Sequence, residues 1–74
     1  MIKVNLLALT TAMANACMSV EELAEKSGFS RTLIYNVRRG KLIRPENLGK
    51  IAKALGVDAK DLIEDVVMGY KMRQ

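Results

Sequence analysis

The chain has 74 residues, a formal net charge of +4 and 50% apolar residues, which favours one small folded domain and argues against disorder. It contains no histidine and one cysteine, Cys17, which excludes an intrachain disulfide and a zinc site built from several Cys or His ligands. With a single cysteine the chain fits a reducing cytoplasm, where we expect it, and no apolar run approaches the roughly 20 residues of a membrane helix.

The charge is unevenly distributed along the chain. Residues 31–50 carry six Arg or Lys against one Glu, a net charge of +5, whereas residues 58–65 carry a net charge of −3. A one-sided basic patch is typical of nucleic-acid binding. The alternative is a solvated basic loop without a partner.

The first elements predicted are a short extended segment and a helix. Residues 2–4 alternate apolar and polar side chains and form either a strand or a lead-in. Asn5 is a suitable N-cap for a helix that runs from Leu6 to about Ala16, with an apolar stripe formed by Leu6, Leu9, Met13 and Cys17. The outer face of this helix is almost uncharged. It either tolerates small residues or contacts a partner subunit or the chain's own tail.

Two short helices and a tight turn are predicted over residues 19–40. Ser19 and Glu22 have the spacing of a capping box. Gly28 can adopt the left-handed conformation that a sharp turn requires. Ser30 is a second N-cap, and the next helix runs from Arg31 to about Arg39 and ends at Gly40.

A fourth helix is predicted from Pro45 to Leu55, because its apolar residues keep core-facing spacing at Leu48, Ile51, Ala52 and Leu55. Asp58 is expected to cap a fifth helix over about residues 59–67. The tail, residues 68–74, is either a frayed basic segment or contributes Tyr70–Met72 to a small β element with residues 2–4.

The small residue at Ala24, Gly28 four positions later, and the apolar residues Ile34 and Val37 together resemble the helix-turn-helix of the phage repressor and Cro group, the XRE family. The stretch Pro-Glu-Asn-Leu-Gly-Lys-Ile-Ala-Lys-Ala-Leu-Gly-Val is similar to that family's fourth helix. The resemblance covers roughly residues 5–65. It implies an all-α, five-helix, lambda-repressor-like fold, and we expect a single domain over residues 1–74.

The resemblance also implies that the third helix enters the major groove of DNA by its N-terminal residues. The positions that would face bases are Arg31, Thr32, Tyr35 and Asn36. The candidates for phosphate contacts are Ser30, Arg38, Arg39, Lys41, Arg44 and Asn47. The alternative for these side chains is structural, with the arginines at 38 and 39 paired to glutamates of the second helix and Tyr35 packed on its own helix.

The start of the second helix departs from the family pattern. Many members have glutamine where this chain has Val20, and that glutamine supports both a phosphate and the recognition helix. Free backbone N–H groups near Val20 and Glu21 remain able to hold a phosphate. The carboxylates of Glu21 and Glu22 make this contact less favourable.

These features predict a sequence-specific regulator of transcription, either a repressor, which we favour, or an activator. It acts as a homodimer on a palindromic operator in double-stranded DNA, associated with the nucleoid and without a cofactor. The alternative is a protein-interaction module on the same fold, such as an antitoxin or antirepressor. An enzyme is not expected, because the sequence has no histidine or Gly-rich phosphate loop, and Cys17 has no candidate base nearby in sequence.

Overall fold

The computed structural model describes residues 1–66, which form four α-helices and a two-stranded antiparallel sheet. The elements in chain order are β1 (Ile2–Val4), α1 (Leu6–Asn15), α2 (Val20–Ser27), α3 (Arg31–Arg38), α4 (Pro45–Leu55), a 3-10 helix (Ala59–Leu62) and β2 (Ile63–Val66). None of the helices in residues 1–66 has the length and apolar character needed to cross a bilayer.

Side chains at the predicted caps fix where the helices begin. Asn5 accepts from the N–H of Ala8 at 3.0 Å. Ser19 and Glu22 form both bonds of the capping box, since the Glu22 N–H donates to the Ser19 hydroxyl and the Ser19 N–H donates to the Glu22 carboxylate. Ser30 accepts from the N–H of Leu33 at 3.2 Å. The predicted starts of α1, α2 and α3 are therefore correct.

The turn between α2 and α3 is tight because Gly28 has a φ of +82°, which an L-residue rarely adopts. Its N–H donates to the carbonyl of Ala24, as does the N–H of Phe29. Ala24 is buried, so α2 and α3 can pack closely there. Ala24 therefore allows close packing of the two helices and Gly28 forms the tight turn, as their spacing in the sequence predicted.

The core is formed by apolar side chains from every element. Its largest fully buried members are Leu9, Leu23, Ile34, Leu48, Ile51 and Leu62. The spacing of α4 places its apolar stripe in this core as predicted. The stripe predicted for α1 is wrong in part: Leu6 is 50% exposed and Cys17 is exposed, whereas Ala12 is buried beside Leu9 and Met13. α1 packs against the 3-10 helix.

The predicted fifth helix is not confirmed, whereas the four helices and the small sheet are compatible with the predicted helix-turn-helix fold, for which the sequence left a short terminal β element open. Asp58 caps the chain as expected, but only a 3-10 helix follows, ending at Leu62. Residues Ile63–Val66 then pair antiparallel with Ile2–Val4. The physical reason is that β1 offers unpaired backbone groups next to a β-branched segment, and pairing satisfies both. The predicted partner of β1, Tyr70–Met72, lies outside the described residues.

Candidate nucleic-acid interface

The third helix divides into a buried face and an outer face. Ile34 and Val37 are in the core, and Leu33 is half-buried beside them. Thr32 and Tyr35 are exposed, and Asn36 is half-buried on the same outer side. The outer face therefore presents a hydroxyl, a phenol and an amide, which are groups that form hydrogen bonds with base edges and phosphates.

The loop after α3 is folded back onto the end of that helix. The N–H of Gly40 donates to the carbonyl of Val37 at 3.1 Å, and the N–H of Lys41 donates to the carbonyl of Asn36 at 3.0 Å. The loop then contributes Ile43, which is 3% exposed, to the core. The backbone of Lys41 is therefore held next to Asn36, and both residues are candidates for contacts with DNA.

The first strand fixes the other end of the same loop. Ile2 and Ile43 exchange two backbone hydrogen bonds, of 2.8 Å and 2.9 Å, which form an isolated antiparallel bridge. The carbonyl of Arg44 then accepts from the N–H of Leu48 as α4 begins. The loop is therefore fixed by α3, by β1 and by α4.

A shallow groove runs between α3, this loop and the start of α4. Six of the ten predicted site residues line it: Ser30, Thr32, Asn36, Lys41, Arg44 and Asn47. Two of them carry a positive charge, and the others carry hydroxyl or amide groups. The structure therefore brings together part of the predicted base-facing set and part of the predicted phosphate set.

The other four predicted residues do not line this groove. Arg31 is 67% exposed and lies 4.0 Å from Glu21 of α2, measured from Nη1 to Oε2. Tyr35 is 40% exposed, and Arg39 is exposed at the end of the helix. Arg38 is half-buried, and its Nε atom is buried without a hydrogen-bond partner among the described residues.

The ion pairs differ from those considered from sequence. Within residues 1–66 they are Arg31–Glu21 and Lys3–Glu64, so the glutamate of α2 that forms an ion pair engages Arg31 and not Arg38 or Arg39. Val20, at the position where the family resemblance implies a glutamine, is buried. It therefore supports α2 from the core and presents no polar group toward α3.

Sequence patterns missed two features of the site. The groove is also lined by the apolar residues Met1, Leu42 and Ile43, which the sequence patterns did not predict as part of the site. The alternation in residues 2–4 is compatible with a strand or a lead-in, and nothing in it indicates the bridge to Ile43. Such non-local backbone pairing has no local sequence signature.

Comparison with known proteins defines the class to which this arrangement belongs. A family model described as the Cro/C1-type helix-turn-helix DNA-binding domain matches residues 8–67. The chain therefore belongs to this family of DNA-binding transcription regulators, as the resemblance to the XRE family predicted.

Two relatives place the chain within this class. It is 38% identical to control protein C.BamHI of Bacillus amyloliquefaciens over 58 residues, which are 77% of this chain and 72% of that protein. It is also similar to the crystal structure of the hypothetical transcription factor NHTF from Neisseria, with a TM-score of 0.70 and 35% identity. That match covers 76% of this chain and 66% of the Neisseria chain, so about a third of the latter lies outside it.

Proposed function

We propose that the protein binds a palindromic operator in double-stranded DNA as a homodimer and represses transcription by occupying it. The observation that carries this proposal is the groove beside α3, where hydrogen-bonding side chains of the helix meet the cations of a fixed loop. Such a protein would be found with the nucleoid, in the cytoplasm. It needs no cofactor in this mechanism.

The diameter of an α-helix suits the major groove. With its side chains a helix is about 10–12 Å across, which is close to the width of that groove, about 12 Å. With the outer face of α3 inserted, Thr32 and Asn36 face base edges. Asn36 would form a bidentate contact with adenine N6 and N7, and Thr32 would donate to a base or contact a thymine methyl.

The cations around the helix would hold the DNA backbone. Lys41 and Arg44 lie in a loop that is fixed at both ends, so their backbone positions need little reordering when a phosphate arrives. Arg39 extends from the end of the helix. Ser30 uses its oxygen as a cap acceptor and keeps its O–H free to donate to a phosphate.

The homodimer follows from the small number of contacts that one such domain can make. Two recognition helices that engage half-sites one helical turn apart, roughly 34 Å, double those contacts. The candidate dimer surface is the outer face of α1. On it Leu7 is 75% exposed, and Leu7, Ala8 and Thr11 line a groove with Val57 and Leu62. This chemistry suits an apolar partner surface better than water.

The experiment is fluorescence anisotropy of wild type, Asn36→Ala and Lys41→Ala on DNA from upstream of the protein's own gene and on a scrambled duplex, over a salt series. We expect Asn36→Ala to lose about 1–3 kcal/mol of discrimination. Lys41→Ala should weaken binding to both duplexes, and the slope of log affinity against log salt should fall by about one. Sedimentation of the complex would give its stoichiometry.

Equal binding of wild type to both duplexes, or a failure to bind either, would contradict sequence-specific recognition. It would favour the protein-interaction alternative. A wild type that stays monomeric at high micromolar concentration, with and without DNA, would contradict the homodimer. If expression of a reporter gene behind the operator rose with the amount of the protein, the protein would be an activator and the proposed repression would be wrong.

A further inference from the structure

Two neighbouring glutamates at the start of α2 have different partners. Glu22 is held in the capping box, where its carboxylate accepts from the Ser19 N–H at 2.9 Å. Glu21 takes no part in the cap, and its carboxylate lies 4.0 Å from the guanidinium of Arg31. The charge of Glu22 is therefore engaged by its own helix, whereas the charge of Glu21 is directed to the first residue of α3.

The Glu21–Arg31 pair is not explained by stability. The two side chains are 54% and 67% exposed, and ion pairs this exposed contribute little to folding. The pair does, however, lie where the proposed interface begins, since Arg31 is the first residue of the recognition helix. Among the predicted DNA-contacting cations, Arg31 has an acidic partner within residues 1–66, whereas Lys41 and Arg44 have none.

We propose that Glu21 is a specificity-determining residue, which lowers the affinity of Arg31 for DNA phosphates and so reserves this arginine for a base edge. This inference rests on the proposed function. It assigns to Glu21 a role in discrimination between DNA sequences, although Glu21 itself need not touch DNA.

The physical argument is the difference in charge between the two kinds of acceptor. A phosphate carries a full negative charge, so the Glu21 carboxylate repels it and neutralises the guanidinium that would attract it. The guanine atoms O6 and N7 are uncharged acceptors, for which the neighbouring carboxylate is a much smaller penalty. The guanidinium has five N–H donors, so it can bond to guanine while it keeps a donor toward Glu21.

The sequence around Glu21 supports this role. The buried Val20 supplies no side chain to orient α3, and a free N-terminus of α2 would otherwise attract phosphate through its N–H groups. The carboxylate of Glu21 reduces that attraction as well. Both effects weaken binding that is independent of sequence, because phosphates are present at every position of a duplex.

The test compares wild type with Glu21→Gln on two probes, a duplex selected by wild type from a randomised pool and its scrambled counterpart. The variant keeps the size of the side chain and removes its charge. We expect binding to the scrambled duplex to tighten by about fivefold, the order of magnitude of one unit-charge interaction at this distance in water. Binding to the selected duplex should change by less than about twofold, so the specificity ratio falls.

The salt dependence separates this mechanism from a change in shape. On the scrambled duplex, the slope of log affinity against log salt should steepen by about 0.9 in Glu21→Gln, which corresponds to one additional phosphate contact. In an Arg31→Ala background, Glu21→Gln should no longer alter the specificity ratio, because the residue acts through Arg31.

The matched control is Glu25→Gln, which removes the same charge one turn further along α2. Glu25 is exposed and forms no ion pair within residues 1–66. We expect its specificity ratio to equal that of wild type. Thermal unfolding and circular dichroism of both variants would verify that the fold is intact.

The outcomes distinguish this inference from the proposed function. If wild type selects no sequence or does not bind DNA, the proposed function fails, and this inference fails with it. If wild type discriminates but Glu21→Gln leaves the ratio unchanged, or tightens both duplexes equally, only this inference is overturned. The same holds if Glu25→Gln lowers the ratio as much, because the effect would then be general repulsion.

Discussion

The outer faces of α3 and α1 differ in chemistry although both helices contribute to one core. Around α3 the exposed side chains are cationic or form hydrogen bonds, and the loop that follows adds Lys41 and Arg44. On α1 the exposed side chains include Leu6 and Leu7, and residues 4–20 contain no charged residue. Both helices have buried residues at helical spacing, which are Leu9 and Met13 in α1 and Ile34 and Val37 in α3.

The difference shows which properties the fold determines. The core requires only that apolar residues recur on one side of each helix, and both helices satisfy that rule. The chemistry of the opposite side is free to serve binding. Polar and cationic groups suit the hydrated, charged surface of DNA, whereas exposed leucines suit another apolar surface.

The largest expected effect comes from substitutions in the buried apolar face that α1 and α3 each have. Ile34→Ala and Leu9→Ala each remove a side chain that is at most 1% exposed, so each should destabilise the fold by about 2–5 kcal/mol. For a domain of this size that is most of its net stability. Urea unfolding followed by circular dichroism would measure the loss.

The control for this pair is Thr10→Ala, an exposed position on α1, which should change the stability by less than about 0.5 kcal/mol. If Ile34→Ala left the free energy of unfolding unchanged while Leu9→Ala lowered it, α3 would not be packed as described. It would also remove the rigid support on which the proposed interface depends.

The next prediction separates the two outer faces. Leu7→Lys places a charge on the uncharged face of α1, and we expect it to weaken the proposed dimer by more than about tenfold, because an apolar side chain is lost and a charge must be desolvated. Tyr35→Lys makes a comparable change on α3 and should leave the dimer intact. Sedimentation without DNA would measure both variants.

Dimers that withstand Leu7→Lys would exclude α1 as the contact surface and leave the homodimer to another part of the chain. A loss of dimers in Tyr35→Lys would show that the two faces are not independent. Either result would remove the distinction between a DNA face and a protein face.

A third prediction concerns the bridge between β1 and the loop after α3. Ile2→Pro removes the N–H that donates to the Ile43 carbonyl, which should cost about 1–3 kcal/mol and loosen residues 40–44. Amide hydrogen exchange at Ile43 should become faster, and the affinity for all DNA should fall. Ile2→Val is the control, since it keeps the N–H. Unchanged exchange at Ile43 in Ile2→Pro would show that the loop does not depend on β1.

The parts of the fold that were predicted from sequence depend on local rules. The caps at Ser19 and Ser30, the turn at Gly28 and the limits of α4 all follow from residues within a few positions of one another. The exposed face of α3 follows from the spacing of Ile34 and Val37. The family match agrees with the resemblance that these same residues carry.

The parts that were not predicted depend on distant partners. After Leu62 the sequence is compatible with a helix or a strand, and the choice is made by β1, about 60 residues earlier in the chain. The Ile2–Ile43 bridge and the Glu21–Arg31 pair likewise join separate elements. Six of the predicted site residues share one groove, whereas Arg31 pairs with Glu21 of α2 and Arg38 is half-buried, so neither lines it.

The smallest expected effect concerns the start of α4, where folding and the proposed DNA contact favour different residues. Arg44 is the N-cap of α4, yet its side chain forms no capping bond within the described part of the chain. Serine at this position would accept from an N–H of the first turn and stabilise the fold by about 0.5–1 kcal/mol. Arg44→Ser should therefore raise the midpoint of urea unfolding while it weakens binding to every duplex, with a salt slope smaller by about one.

The control is Arg44→Lys, which keeps the charge and should preserve both properties. If Arg44→Ser were stabilised and bound DNA as wild type does, the arginine would have no function in the phosphate contact, and its presence in place of a better cap would have no explanation in the interface.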